Sequence, residues 1–379
     1  MIYLAGDIGG TKALLQLVQI SPNTSASNSL TSQQTLPTQC LAEQRYLCND
    51  FNSLESIIQT FLSSVTDIDW SSNAISSACF GLPGLVNSRV VELTNLPWVV
   101  DADVIQQTCN IKKVTFVNDF YVAALGVDVL TADEILTLYQ PLNKVQNMPH
   151  NALKGNRLVI GAGTGLGVAP VFYDGKNYLP QASEGGHFDF APISETQQQL
   201  LSWLWQKWQH VSYERVLSGP GLETLYAFFL QHDLPNSYSQ TSSQKLHANK
   251  VFNLQNKHVG LLDAAKEKSA NLVCLAAEEI QQAAEEGEPI AIKAITEFVT
   301  IYGAFVGSIA LVWNAPGGIY LAGGVALKLQ KWMQSEVFIK AFLEKGRMSK
   351  VVENMPIYLV TNEALGLKGA MQAAQKKHD

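Results

Sequence analysis

Two segments of this chain repeat one pattern, an apolar run, a turn built on glycine and a second apolar run. Ile2 to Ala5 and Ala13 to Ile20 flank Gly6-Asp-Ile-Gly-Gly-Thr11, and Leu158 to Ile160 and Val168 to Tyr173 flank Gly161-Ala-Gly-Thr-Gly-Leu-Gly167. Short apolar runs bounded by glycines read as strands joined by turns. The repetition suggests two related half-molecules, although strand–turn–strand is too common to prove duplication. Length points the same way, since 379 residues exceed what one hydrophobic core organises and imply about two domains.

Apolar residues make up 47% of the chain and charged residues 16%, which suits a folded globular protein and excludes a disordered, collagen-like or coiled-coil one. With 26 basic against 33 acidic side chains, the net charge is −7. There is no general electrostatic drive toward nucleic acid or an anionic membrane. The cysteines Cys40, Cys48, Cys79, Cys109 and Cys274 are scattered and never form a C-x-x-C pair, so neither a disulfide framework nor a thiolate zinc site is indicated. The start, Met1 to Asp7, lacks the basic and long apolar regions of a signal peptide. Val299 to Trp313 is interrupted by Thr300, Gly303 and Ser308 and is shorter than the ~20 residues of a membrane span. It is expected to be a buried helix, and the protein to be cytoplasmic.

Leu54, Ile57, Ile58, Phe61, Leu62 and Val65 recur at helical spacing, with Asn52 or Ser53 available as N-cap. Ala74 to Phe80 and Val114 to Val117 read as buried strands, and this alternation predicts an α/β sheet. Further helices are expected over 196–210, 264–284, 291–313 and 362–377, the last after a strand Ile357 to Val360. Trp203, Trp205 and Trp208 read as helix packing. The segments 21–39 and 235–249 are polar and are expected to be mobile surface insertions.

Asp7 and Thr11 surround two glycines at a strand end, where backbone N–H groups can hold phosphate oxygens, though a plain hairpin turn reads equally well. The second turn, G-x-G-x-G-x-G around Thr164, leaves the backbone nearly bare for a polyphosphate. It does not match the G-x-G-x-x-G dinucleotide fingerprint, and the chain has no G-x-x-x-x-G-K-[ST]. A third cluster, Gly317 to Gly324, brackets a short strand and could admit an adenine ring, or could be an ordinary strand edge. Asn118-Asp119 falls between a strand and a helix, where Asp119 serves either as N-cap or as a site residue. Glu184-Gly-Gly-His187 offers an acceptor and a donor/acceptor suited to neighbouring hydroxyls. Glu214 is a third acid, with an exposed helix-start charge or an ion pair to Arg215 as its plainer role.

Taken in order, Asp7-Ile-Gly-Gly-Thr11, Val117-Asn-Asp-Phe120, Gly161 to Gly167, Glu184-Gly-Gly-His-Phe-Asp-Phe-Ala-Pro192 and Glu214-Arg-Val-Leu-Ser-Gly-Pro-Gly221 resemble the motif set of bacterial ATP-dependent glucokinases over nearly the whole chain. The resemblance implies an α/β protein of actin-like ATPase (ribonuclease H-like) fold, with two lobes around a central cleft. Residues 1–128 and 363–379 would form the small lobe and 129–362 the large one. It implies phosphorylation of D-glucose at the 6-hydroxyl by ATP with Mg²⁺, and a homodimer. By the same resemblance Asp119 is the general base, and Asn118, Glu184, His187 and Glu214 bind the sugar. Asp7, Gly9, Gly10, Thr11, Gly163, Thr164 and Gly165 surround the phosphates, with Asp7 on the metal through water, and Gly323 and Gly324 lie near the adenosine. An ordinary carboxylate pKa at Asp119 would suffice, and Trp98 is expected near the cleft. Two alternatives stand beside this reading, a related hexose kinase of different sugar preference and a non-catalytic sugar-binding ATPase-like module. The cysteine-rich zinc motif of the other large sugar-kinase branch is missing, since no cysteine lies between Cys109 and Cys274.

Overall fold

The apolar runs bury themselves in two separate sheets. In the computed structural model the described residues are all except 22–37, 71–72, 85, 94, 143–148, 234–274 and 377–379. Residues 2–118 supply β1 (Ile2–Ile8), β2 (Lys12–Ile20), β3 (Thr38–Leu47), β4 (Ile75–Leu82), β5 (Val90–Glu92), β6 (Val99–Asp101) and β7 (Val114–Asn118). All but the β5–β6 ribbon form a five-stranded sheet of order β3-β2-β1-β4-β7. Residues 135–360 supply β8 (Ile135–Tyr139), β9 (Arg157–Ala162), β10 (Leu166–Tyr173), β11 (Tyr178–Pro180), β12 (Ile319–Ala322) and β13 (Ile357–Val360), in the order β11-β10-β9-β12-β13-β8.

The two sheets share a plan. In each, an antiparallel meander (β1–β2–β3; β9–β10–β11) is followed by two strands parallel to its first member (β4, β7; β12, β13), with β8 added antiparallel at the second sheet's edge. The repeated glycine turns are therefore the first hairpin of each half. β1 is buried along nearly its whole length, as a central strand covered on both faces must be.

The helix Leu54–Ser64 covers one face of the first sheet with Leu54, Ile57, Ile58, Phe61 and Leu62, and Ser53 is its cap, its hydroxyl accepting from Ser56 N at 3.2 Å. The helix Leu365–Gln375 returns to the opposite face, packing Leu367, Ala370 and Met371 on Tyr3, Ala5 and Cys79. In the second half, the helix Pro289–Trp313 runs through the core, capped by the Glu288 carboxylate on Ile290 N and Ala291 N and ended by left-handed Asn314. It is long and apolar enough to cross a membrane, but 67% of its apolar window is buried inside the fold, so it is the core helix expected.

Some expectations change. The helix over 196–210 is Glu195–Leu204; past its end Trp205 is exposed and Trp208 packs on the core beneath Arg215. Of 264–284, the helix Ala277–Glu285 is seen, and 264–274 lie outside the described residues. So do 22–37 and the whole of 235–249, whereas Thr38 and Gln39 open β3 opposite Ile20 and Gln19. Trp98 is not at the cleft. It is 4% exposed, in the first sheet's core with Leu93, Leu96 and Val100, because the β5–β6 ribbon folds inward.

The chain passes between the two sheets near 127–134 and again near 361–364, and one carboxylate clasps both passages. Glu134 accepts from Lys368 Nζ at 2.8 Å, from Thr131 N at 2.9 Å and from the Asn362 amide. Burial alone would raise its pKa, but these donors outweigh it and hold the carboxyl at about 2. The folded value lies below the unfolded one, so the stabilisation is complete above pH 4.5 and drains away as pH falls toward 2. Glu134→Gln should cost about 1–3 kcal/mol at neutral pH. Denaturant titrations at pH 7 and at about pH 3.5 should show the gap from the parent chain narrowing at the lower pH, and a constant gap would contradict the clasp.

Candidate active site

The parallel strands β1, β4 and β7 end together, which brings Asp7, Gly81–Leu82 and Asn118 to one edge of the first sheet, the edge where open α/β sheets carry their sites. Asn118, not Asp119, caps the helix Asp119–Gly126. Its Oδ1 accepts from Phe120 N (3.0 Å) and Tyr121 N (3.1 Å), and its Nδ2 donates to Gly84 O (3.0 Å). Asp119 is thereby released from capping. Its Oδ1 accepts from Phe120 N at 2.9 Å, and its Oδ2 has no hydrogen-bond partner among the described residues.

Asp7 and Asp119 flank Gly81, where a Cβ would stand 3.8 Å from Asp7 Oδ1 and 3.5 Å from Asp119 Cα. Both side chains stay partly accessible from the cleft but are surrounded by protein. Burial pushes Asp7 up to about 6. Asp119 rises to about 7, through burial first, then the charge of Asp7 and, more weakly, that of Glu184, against the Phe120 N–H. An ordinary pKa would suffice for a base, but the surroundings raise it, because two backbone N–H groups and a helix end do not offset desolvation and two like charges.

The wall behind Asp7 was not foreseen. Gly366, in the first turn of the helix Leu365–Gln375, lies so close that a Cβ there would be 2.5 Å from Asp7 Oδ2. Gly366 and Gly369 interrupt an apolar helix, and glycine costs ~1 kcal/mol against alanine in such a place. That cost was the available signal of a close approach.

The second turn is braced from several sides. Gly163 N donates to Gly165 O and Gly219 N to Gly163 O, each at 2.8 Å. Glu214 Oε2 accepts from Leu166 N at 2.9 Å, so this carboxylate supports the turn rather than pairing with Arg215, which stacks on Trp208. Gly186 packs on Leu166, which sets Glu184 and His187 beside the same turn. Those two side chains are half-exposed, with His187 Nε2 and Glu184 Oε2 4.0 Å apart. Gly323, at φ 91°, sits against Ala162, so the third glycine cluster adjoins the second. Lys12, at the end of the first turn, faces Glu278 of the other half. Asp7 and Glu184 thus both lie within range of the Asp119 charge, and Glu214, Gly186 and Gly323 pack on or beside the second turn.

A family model described as Glucokinase matches residues 4–377. The chain belongs to the glucokinase family. Among its relatives, the glucokinase of a Synechocystis species is 35% identical over 378 residues, covering 98% of this chain and 97% of the relative. The glucokinase of Nostoc punctiforme is 32% identical, with 99% of each covered. Among solved structures, a glucokinase from an Antarctic psychrotroph superposes with a TM-score of 0.71 at 26% identity over 99% of both chains. A ROK family glucokinase from Streptomyces griseus, solved with glucose and AMPPNP, has a TM-score of 0.56 at 16% identity over 100% of both. The fold of this glucokinase-family chain is the actin-like ATPase fold.

The site's own residues suit a nucleotide. Gly163 and Gly324 have nothing within 4 Å of where a Cβ would stand, and Thr11 and Thr164 are exposed, so the second turn and the third glycine cluster offer bare backbone to phosphates, whereas in the first turn a Cβ at Gly10 would stand 2.8 Å from Asn95 Cβ. Among the described residues no three His, Cys, Asp or Glu side chains form a metal cage. A lone hard carboxylate such as Asp7 fits Mg²⁺, which is ordinarily held by one or two carboxylates together with substrate phosphates. Gly366→Ala, which drives a methyl into the Asp7 carboxylate, should lower turnover by about a hundredfold in a chain that still folds. Steady-state kinetics alongside circular dichroism would check this, and near-normal turnover would remove Asp7 from the machinery.

Proposed function

We propose that this chain is an ATP-dependent hexose kinase that transfers the γ-phosphoryl group of ATP to the 6-hydroxyl of D-glucose, giving glucose 6-phosphate and ADP, with Asp119 as general base. The observation that carries this reading is Asp119 itself, a carboxylate released from capping, held by one oxygen and pushed up to about 7 within range of Asp7 in the first glycine turn. A base poised near the working pH is suited to taking the hydroxyl proton as the new P–O bond forms. The proton passes from the sugar O6 to Asp119 Oδ2, O6 bonds to the γ-phosphorus, and the bond to the ADP oxygen breaks.

Asn118, Glu184, His187 and Glu214 are proposed to hold the sugar. Since Asn118 Oδ1 and Glu214 Oε2 already serve backbone donors, the second N–H of the Asn118 amide and Glu214 Oε1 are the atoms offered. Asp7, Gly9, Gly10, Thr11, Gly163, Thr164 and Gly165 are proposed to surround the phosphates, and Gly323 with Gly324 the adenosine. Mg²⁺ held through water by Asp7 would neutralise phosphate charge. We also take 1–128 with 363–379 and 129–362 as the two lobes, a homodimer as the assembly and the cytoplasm as the location. The two separate sheets and cores support the lobe division.

A coupled assay of ADP release should rise by about tenfold or more when glucose is added, whereas release indifferent to sugar would favour an ATPase-like module. Asp119→Asn should lower kcat by about 10²- to 10⁴-fold while glucose binding persists, and near-normal turnover would end its role as base. Glu184→Gln or His187→Ala should raise the KM for glucose about ten- to a hundredfold, with a much smaller change for ATP. Equal effects on both substrates would remove these residues from the sugar site.

A further inference from the structure

Phe120, the residue after the proposed base, touches both halves of the molecule. Its backbone N–H donates to Asp119 Oδ1 at 2.9 Å and to the cap oxygen of Asn118 at 3.0 Å. Its ring lies on the β9–β10 hairpin at Gly161 and Gly167, which are cross-strand partners. A methyl at Gly167 would overlap three atoms of the ring, and one at Gly161 would stand 2.8 Å from Cζ. Two facing glycines weaken a strand pair and mark a close approach by something else. Here that something is a ring from the other half of the chain.

We infer that Phe120 is a positioning residue for the phosphoryl transfer, setting the separation between the Asp119 carboxylate and the glycine turn at Gly163 to Gly165 through the slot formed by Gly161 and Gly167. This rests on the reading of Asp119 as base. The amide orients the carboxylate and the ring seats the same residue on the hairpin whose tip carries the turn. A flat, internally rigid ring makes a stiffer spacer than an unbranched aliphatic side chain of similar bulk such as methionine, which turns about three bonds. General packing does not account for the slot, because an apolar ring is accommodated as well by alanine or valine neighbours set slightly apart, whereas bare backbone brings it into direct contact with the strands. A spacer of this kind acts on the geometry of the transition state, so its loss lowers kcat and leaves ground-state binding of either substrate nearly unchanged.

The test uses the full chain with glucose and Mg-ATP. Phe120→Leu, which empties part of the slot, and Gly167→Ala, which fills it, should each lower kcat by about tenfold or more with both KM values within about threefold of the parent. Circular dichroism and the thermal midpoint establish the folded fraction to which kcat is referred. In the double variant Phe120→Leu/Gly167→Ala the added methyl occupies volume the ring has vacated, so kcat should recover by about fivefold or more over Gly167→Ala alone, a coupling that independent sites do not show. If Phe120→Leu does not fold, Phe120→Met takes its place in the same cycle. The inference is overturned by a kcat within twofold of the parent in the Phe120 variant, by losses that appear in KM instead, or by single effects that simply multiply in the double variant. Activity that survives in Asp119→Asn would overturn the base reading instead, so the two failures are told apart.

Discussion

The site is organised by the burial of two carboxylates on either side of one glycine. Asp7 and Asp119 arrive from the ends of parallel strands and meet across Gly81, an arrangement in which charge is costly and each proton is held more tightly. Several neighbouring features follow from it. Asn118 does the capping, which leaves Asp119 to do chemistry. Gly366 closes the back of the Asp7 pocket without a side chain of its own.

The glycines serve different ends, and their surroundings separate them. Gly163 and Gly324 face open space and suit a ligand's approach. Gly366 and Gly369 permit the terminal helix to lie against Asp7 and against the helix Asp119–Gly126. Gly161 and Gly167 receive a ring. The Glu134 clasp, the Arg157–Asp128 ion pair and Phe120 meet near the chain passages between the two sheets.

Much of this was legible in the residues. Helical spacing located the helix Leu54–Ser64, and the paired glycine turns pointed to two halves that share a sheet plan. The order of short motifs pointed to Asp119 and to Asp7 and Glu184, whose charges lie within range of it. What was not legible depends on contacts distant in sequence. Asn118 and Asp119 are adjacent and equally able to cap, and only the path of the backbone decides between them. The elevated pKa of Asp119 comes first from its burial in the folded chain and then from the charges of Asp7, more than a hundred residues away, and Glu184, 65 residues away. Trp98 is expected near the cleft, and only the fold places it in the first sheet's core.

The central claim is that burial and a second carboxylate poise Asp119 near neutrality. The direct measurement is a pH titration of aspartate side-chain carboxyl ¹³C resonances in the ligand-free full chain. One resonance, missing in Asp119→Asn, should titrate at about 7 and should move to lower pH in Asp7→Asn, because removing that charge relieves the repulsion. A resonance assigned to Asp119 that titrates at the ordinary value of 3.8, with Asp7 present or replaced, would contradict the account.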